Sequence, residues 1–393
     1  MNWIKTILSR YAITVLITLL ILFVLEGVSS VTYYQLKKPN GYAFSSAVEA
    51  IRRVLFPSNV SSHNEYVSHN EYDKLVIINK ESDGEERLYP NYKYEPQFHH
   101  PSEFYYLANI ANSRIIGCNE AGYFPYWKSD EFGYRNPAAT HKSHSDILLI
   151  GDSFAEGDCE NETGSLAGQL RTLGLKVANL GKGGSGPLHQ LATLIEYAPE
   201  YRTHQIVWIV FTGNDLNNLR EEKTSRLSAY LEDSYSQNLV KKSEEANTSI
   251  ERFLETQIEN SNVRMKRGLP LIRTKNYGES LDLLDAKNKE AFLLTEVASR
   301  IFDEVKKLDA ELKIVILNHI AYNHDIQDLT SKVIKEFAAD REIDYLEITR
   351  EHLRTNQHMY TKTGPHFSEE GNTAIGEKIS AWLNNGEIGR AHV

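Results

Sequence analysis

The sequence predicts an α/β protein built on a parallel sheet with helices on both faces. Three observations carry that expectation. Short apolar runs, Ile147-Leu-Leu-Ile150, Gln205-Ile-Val-Trp-Ile-Val-Phe211 and Lys313-Ile-Val-Ile-Leu317, read as strands buried on both faces. Stretches with apolar residues at helical spacing lie between them, and alternation of strand and helix implies a parallel sheet. Two runs end directly in turns, Gly151-Asp-Ser-Phe154 and Thr212-Gly-Asn-Asp215, at the strand ends where open α/β sheets bind ligands.

At 393 residues the chain holds one large α/β domain and a smaller part, and 41% hydrophobic residues suffice for a sizeable core. The formal net charge of −10 argues against a nucleic-acid partner, which needs a basic face. Two cysteines exclude a zinc ribbon or an iron–sulfur site.

Residues 1–31 read as a signal anchor forming a transmembrane helix. Lys5 and Arg10 precede an apolar run from Tyr11 to Leu25. Cleavage at Val28-Ser-Ser30 is the alternative. The basic residues keep the N-terminus in the cytoplasm, so either reading exports the chain from about residue 32. In an exported domain Cys118 and Cys159 are a candidate disulfide, which would tie the segment before the α/β domain to the rim of the Ser153 turn; two free thiols are the alternative.

Residues 32–140 read as a stalk and a loop-rich cap. A tandem repeat, Ser62-His-Asn-Glu-Tyr-Val67 and Ser68-His-Asn-Glu-Tyr-Asp73, has no metal-ligand spacing and reads as a tolerated loop duplication. Leu75-Val-Ile-Ile78 and Glu86-Arg-Leu-Tyr89 flank a polar turn and predict a hairpin. Residues 90–140 are aromatic, poor in periodicity, and include the turn-like Asp130-Glu-Phe-Gly-Tyr-Arg-Asn-Pro137. His99, His100, His141 and His144 read as surface or packing residues.

The main domain is expected over 146–385. After the Ser153 turn come a helix over 164–173, a strand over 176–180, the glycine-rich loop Gly181-Lys-Gly-Gly-Ser-Gly-Pro187 and a helix over 188–197. A charged, mostly helical insertion spans 217–310 with a polar break near 260–277. A strand over 343–347 and a closing helix over 368–383, capped by Ser368, follow. Residues 387–393 look like translated sequencing adapter and stand outside the fold reading.

Acyl transfer by serine needs a nucleophile, a base and donors for the oxyanion. Ser153 is the candidate nucleophile, borders a helix N-terminus, and is also what an ordinary N-cap serine would look like. Gly184 offers a backbone N–H, Asn214 a side-chain amide, and His366 before the closing helix a base. No metal or cofactor is needed.

In their order, Gly151-Asp-Ser-Phe154, Asn179-Leu-Gly-Lys-Gly-Gly184, Gly213-Asn-Asp215 and His366 resemble the SGNH (GDSL-type) hydrolase superfamily. The resemblance implies a flavodoxin-like three-layer α/β/α fold, with Ser153 as nucleophile and His366 as general base. It also implies an oxyanion hole of the Ser153 N–H, Gly184 and Asn214. A looser resemblance, through 130–137 and through 208–219 with its insertion, is to a membrane-anchored bacterial subgroup linked to surface polysaccharides. It implies a single-pass inner-membrane protein with a periplasmic catalytic domain. The family usually carries Asp three residues before the histidine, where this chain has Thr363. Losing the carboxylate of a triad costs about 10⁴ in rate; Glu369 and Glu370 lie nearby but belong to the first turn of the closing helix.

The expected activity is removal of a short acyl group such as acetyl from an acylated envelope or extracellular glycan, or from a small ester. An O-acyltransferase and a catalytically degenerate domain that binds glycan or scaffolds polysaccharide assembly are the alternatives. Tyr123, Phe124, Tyr126 and Trp127 are candidate sugar-stacking aromatics, against simple packing. A lipase fits less well, because no long apolar lid segment follows the anchor.

Overall fold

The computed structural model describes residues 88–91, 104–267, 283–320, 322–354, 358–362 and 364–385. Apart from Leu283 they belong to one compact unit, drawn from Glu65–Gly268 and Leu284–Val393. The expected anchor over 1–31, the duplication over 62–73, His99 and His100, Thr363 and residues 387–393 lie outside the described residues. Among the described residues no helix is long and apolar enough to cross a membrane.

Three short strands come first: β1 (Leu88–Pro90), β2 (Arg114–Ile116) and β3 (Tyr126–Lys128). The main domain then runs β4 (Ile147–Ile150), α1 (Ser153–Glu156), α2 (Leu166–Thr172), β5 (Val177–Asn179), α3 (Pro187–Tyr197), β6 (Gln205–Phe211) and α4 (Asp215–Glu222). Two long helices, α5 (Ser243–Arg267) and α6 (Leu283–Lys307), form the insertion. The chain closes with β7 (Glu311–Leu317), α7 (His324–Asp340), β8 (Tyr345–Ile348), α8 (Arg350–Arg354) and α9 (Glu369–Asn385).

The five main strands are all parallel, in the order β5-β4-β6-β7-β8. This is the flavodoxin-like order, whose switch point lies between β4 and β6. Strand periodicity divides the apolar residues between two cores. Leu148, Ile150, Trp208, Ile314 and Ile316 face α3, α6 and α7. Ile147, Leu149, Val207, Ile209 and Val315 face α2 and α9. Two helical layers therefore cover one sheet. The first core also takes in Phe104, Leu107 and Tyr134 from the cap, so the cap is part of the domain's packing.

Leu88 and Tyr89 are in a strand, as expected; β1 pairs in parallel with β2, and β2 pairs antiparallel with β3. The expected hairpin partner, 75–78, lies outside the described residues. The polar break does not begin at 260, because α5 continues to Arg267. Its side Ile250, Phe253 and Leu254 bury Tyr89, Ile115 and Trp127 of the small sheet, which rewards continuing the helix. Helix α7 had no counterpart in the sequence reading; Asn323 caps it through the Ile326 N–H at 3.2 Å.

The turn over 130–137 fastens the cap. Asp130 Oδ1 accepts the Phe132 and Tyr134 N–H groups, both at 2.9 Å. Gly133 has φ +89°, and a Cβ there would lie 2.0 Å from the Asn109 carbonyl. Asn136 completes the outer edge of β5: its Nδ2 donates to the Asn179 carbonyl at 2.9 Å and its Oδ1 accepts the Asn179 N–H at 2.8 Å.

Removing that pairing strands two buried backbone groups. Asn136→Ala is expected to cost roughly 2–5 kcal/mol, measured by chemical denaturation; a loss within experimental error would deny the turn its fastening role.

Candidate active site

The site sits at the carboxyl ends of β4, β5 and β6. The chain leaves β4 through Gly151, where a Cβ would approach Ala155 Cβ to 2.8 Å and the Ile209 carbonyl to 2.9 Å. Asp152 caps α1 by accepting the Phe154 N–H at 3.0 Å, and Ser153 follows at the first position of that helix. The glycine-rich loop is stitched to the same turn, with the Lys182 N–H donating to the Gly151 carbonyl at 3.0 Å and Ser185 Oγ at 3.1 Å. Gly183 gives its N–H to Glu156 Oε2 at 2.7 Å, while among the described residues none accepts that of Gly184. Asn214, after β6, lies beside Asp152, and its Oδ1 is buried without a partner among the described residues.

His366 completes the arrangement from the far end of the chain. Its Nε2 is 2.8 Å from Ser153 Oγ, and both residues are buried. Ser153 and His366, distant in sequence, are thus brought to hydrogen-bond contact. Its other ring nitrogen, Nδ1, meets a residue that sequence reasoning missed. Glu120 Oε2 lies 2.9 Å from Nδ1 and also accepts the His366 backbone N–H at 3.0 Å and Thr361 Oγ1 at 3.1 Å. With Nδ1–H given to a carboxylate, Nε2 is left to accept the serine proton. Glu369 and Glu370 stand in the first turn of α9, as expected, and the carboxylate at His366 is Glu120 instead.

Cys118 and Cys159 are joined in a disulfide, with Cα atoms 4.6 Å apart. Cys159 has φ +73°, a left-handed conformation that costs a non-glycine residue about 1–3 kcal/mol. Arg135 holds that loop in place. Its guanidinium donates to the Gly157 carbonyl at 2.5 Å and the Glu160 carbonyl at 2.7 Å, pairs with Glu162 at 2.9 Å, and lies over the Trp127 ring. Trp127 is therefore a buried packing residue; of the four candidate stacking aromatics, Tyr123 is the exposed one. Cys118, Glu120, Cys159 and His366 bring possible metal-ligating atoms within 4.8 Å of one another. The sulfurs are spent on the disulfide and the imidazole on Ser153, so the set serves the hydrogen-bond relay.

Burial shapes the electrostatics beneath the site. Asp152 is pushed up to about 6 by burial, against the Phe154 N–H and the nearby His366. Burial also raises Asp215, with Asp152 adding to it, and pushes Glu222 up to about 8. His319 is pushed down to about 4 by burial, so it is neutral at pH 7, and its Nε2–H donates to the Pro365 carbonyl at 2.7 Å. That bond steadies the loop immediately before His366. His141 packs against Phe132 and lies 3.5 Å from Glu131, and His144 lies near His204, which fits their packing and surface reading.

A carboxylate raised on folding stabilises the protein fully below its unfolded value, near 3.8 for Asp152, and loses that contribution as pH rises through about 6. Asp152→Asn keeps an oxygen for the Phe154 N–H. It is expected to raise the melting temperature at pH 7.5 relative to wild type by more than at pH 4. An equal change at both values, read by thermal denaturation, would refute the burial argument.

Three solved structures are similar to this chain at low identity. TesA is 13% identical with a TM-score of 0.38, over 61% of this chain and 97% of its own. A GDSL-like lipase from Bacteroides thetaiotaomicron VPI-5482 is 11% identical with a TM-score of 0.36, over 62% and 89%. A variant of an acetyl-xylooligosaccharide esterase from Geobacillus Stearmophilus is 12% identical with a TM-score of 0.37, over 64% and 98%. No curated protein matches the sequence. The GDSL-like lipase/acylhydrolase family matches residues 147–379, more than half of the chain, across β4, β6, β7 and most of α9. The chain belongs to the GDSL-like lipase/acylhydrolase family.

Proposed function

We propose that the protein is an exported, membrane-tethered serine esterase that removes a short acyl group, acetyl foremost, from an envelope or extracellular polysaccharide. The observation that carries the esterase reading is the 2.8 Å contact between Ser153 Oγ and His366 Nε2 at the switch point of the sheet. His366 takes the Oγ proton as Oγ attacks the acyl carbonyl, and the carbonyl oxygen becomes an oxyanion. The Ser153 and Gly184 N–H groups and the Asn214 amide are the donors for it. Collapse expels the sugar hydroxyl, which receives the proton from Nε2. Water, activated by the same nitrogen, then releases the acid; a second sugar hydroxyl in its place would make the reaction an O-acyl transfer.

The apolar N-terminal run supports export and a tether in a bacterial inner membrane, with the domain in the periplasm. A disulfide supports an oxidising compartment. Exposed Tyr123, its hydroxyl bonded to Glu160 at 2.6 Å, supports a sugar-binding rim. The degenerate glycan-binding domain was motivated by Thr363 in place of an acid. Glu120 on His366 removes that motive.

A fluorophosphonate probe is expected to label Ser153, identified by peptide mass spectrometry, and the label should vanish in His366→Ala. Ser153→Ala should lower p-nitrophenyl acetate hydrolysis by at least about 10³-fold with the melting temperature unchanged. Equal hydrolysis by wild type and Ser153→Ala would end the esterase reading, and a preference for long-chain over acetyl esters would end the short-acyl reading.

A further inference from the structure

We propose that Glu120, delivered by the disulfide-tethered cap, is the carboxylate that orients His366, so that ester hydrolysis is conditional on the Cys118–Cys159 bond. This rests on the esterase reading and names the positioning residue and the regulation of that same site. Four observations on this structure support it.

Glu120 Oε2 gathers the His366 Nδ1–H, the His366 backbone N–H and the Thr361 hydroxyl, all within 3.1 Å. A carboxylate with three donors and almost no solvent contact is fixed in place. Room for it is built into the opposite loop: a Cβ on Gly364 would fall 1.7 Å from the Glu120 carboxyl. Only a residue without a side chain leaves that volume free. Glu120 is two residues from Cys118, and Cys159 is six residues from Ser153, so one covalent bond joins the segment carrying the carboxylate to the loop after the nucleophile. Finally, the Cys159 sulfur lies 3.2 Å from His366 Nδ1, which places the bond itself against the imidazole.

Glu120 comes from the cap, before the first strand of the matched family region, and not from the loop that carries His366. Its segment, between β2 and β3, contains no long element; the disulfide is its covalent restraint, beside the Gly117 N–H bond to the Pro125 carbonyl at 2.8 Å and the Tyr123 hydroxyl bond to Glu160 at 2.6 Å. A dithiol reductant reverses that restraint. Two electrons and two protons pass to the two sulfurs, leaving two thiols, and the dithiol becomes its cyclic disulfide. Cys118 is half-buried and Cys159 fully buried, so Cys118 is the sulfur a reductant reaches. With the segment released, His366 loses the partner that fixes its tautomer and steadies its protonated form.

The test uses the purified full-length protein with two readouts. The first is kcat/KM for p-nitrophenyl acetate against pH. Glu120→Gln is expected to lose on the order of 10³–10⁴-fold, with the acid limb moving to lower pH because the carboxylate favours the imidazolium. Glu120→Asp should recover part of the rate. Dithiothreitol should reproduce the loss in wild type, reverse on reoxidation, and add nothing to Glu120→Gln. The second readout needs no turnover: the NMR titration of the His366 ring protons, assigned by their absence in His366→Ala. Its midpoint is expected to fall by about one pH unit in Glu120→Gln and in the reduced protein. Asp152 and His319, which also face the imidazole, are the same in every sample. Reduction adds the Cys159 thiol 3.2 Å from Nδ1, whereas Glu120→Gln leaves the disulfide intact, so the oxidised variant isolates the carboxylate's effect.

Rates and titration unchanged in Glu120→Gln, with Ser153-dependent turnover intact, overturn the proposal and leave the esterase reading standing. Absence of Ser153-dependent turnover in wild type ends the esterase reading, and the His366 titration then decides the role of Glu120 alone. Full activity of the reduced protein overturns the redox dependence. Loss of activity together with near-ultraviolet circular dichroism assigns the bond to folding, which overturns it as well.

Discussion

The parallel pairing of β4 with β6 is the constraint on which the rest of the structure depends. Because β5 lies on the other side of β4, connections from β4 and β6 leave the sheet toward opposite helical layers and open a crevice at their carboxyl ends. Ser153 follows β4, the Gly184 loop follows β5, and Asn214 follows β6, so three loops reach the crevice without any long excursion. The pairing is held by burial on both faces. Ile147 to Ile150 are all essentially without solvent contact, and alternate residues feed two separate cores. A register slip of one residue would exchange every one of those side chains between the cores. The geometry of the crevice is therefore as well specified as the packing.

The cap follows from what this crevice leaves unsatisfied. Lys182, in the glycine-rich loop, is buried, and its Nζ donates to Asn91 Oδ1 at 2.6 Å and Asn109 Oδ1 at 3.1 Å, with Glu156 at 3.6 Å. An ammonium and a carboxylate this deeply placed are costly unless further hydrogen bonds satisfy them. Asn91 and Asn109 belong to the cap. The α/β layers alone would thus present a buried charge pair to water or to nothing. Arg135 and Asn136 complete the attachment by binding carbonyls of the loop after α1 and the free edge of β5. The cap behaves as a third wall of the domain, not as a lid laid over it.

How much of this was legible in the sequence follows from the range of each interaction. β6 was read at its full length and β4 over its apolar run, because an apolar stretch bounded by turn residues is a local signal. Ser368 as the cap of α9 was local too, and its Oγ accepts the Gly371 N–H at 3.1 Å. The pairing of β1 with β2 was not read, because a three-residue strand carries too little pattern to choose a partner and this one lies 26 positions downstream, Arg114 against Leu88. Trp127 looked like a sugar platform, since no local pattern announces that Arg135 will cover it. Ser153 and His366 were found through the order of the motif blocks and their place after apolar strands. Glu120 was not, because it lies 246 positions from His366 and in no such block. One signal did point there: the pairing of Cys118 with Cys159 brings residue 120 to the site, and a glutamate stands at it.

A triad is defined by roles and geometry, and the order and spacing of its members along the chain are free to vary. What the imidazole requires at Nδ1 is an anion, correctly placed and unable to wander. A carboxylate three residues before the histidine meets that requirement through a short loop, whose few torsions limit where it can go. Glu120 meets it from a distant segment, and the lost local restraint must be supplied otherwise. Here three donors converge on one oxygen, Gly364 clears the volume, and a covalent bond pins the chain two residues away. The consequence reaches the folding of the site. In a domain with its acid beside the histidine, the α/β layers assemble the whole relay by themselves. In this chain the Ser153–His366–Glu120 hydrogen-bond relay is assembled with residues of the cap, so its structural unit begins well before residue 147, where the family match starts.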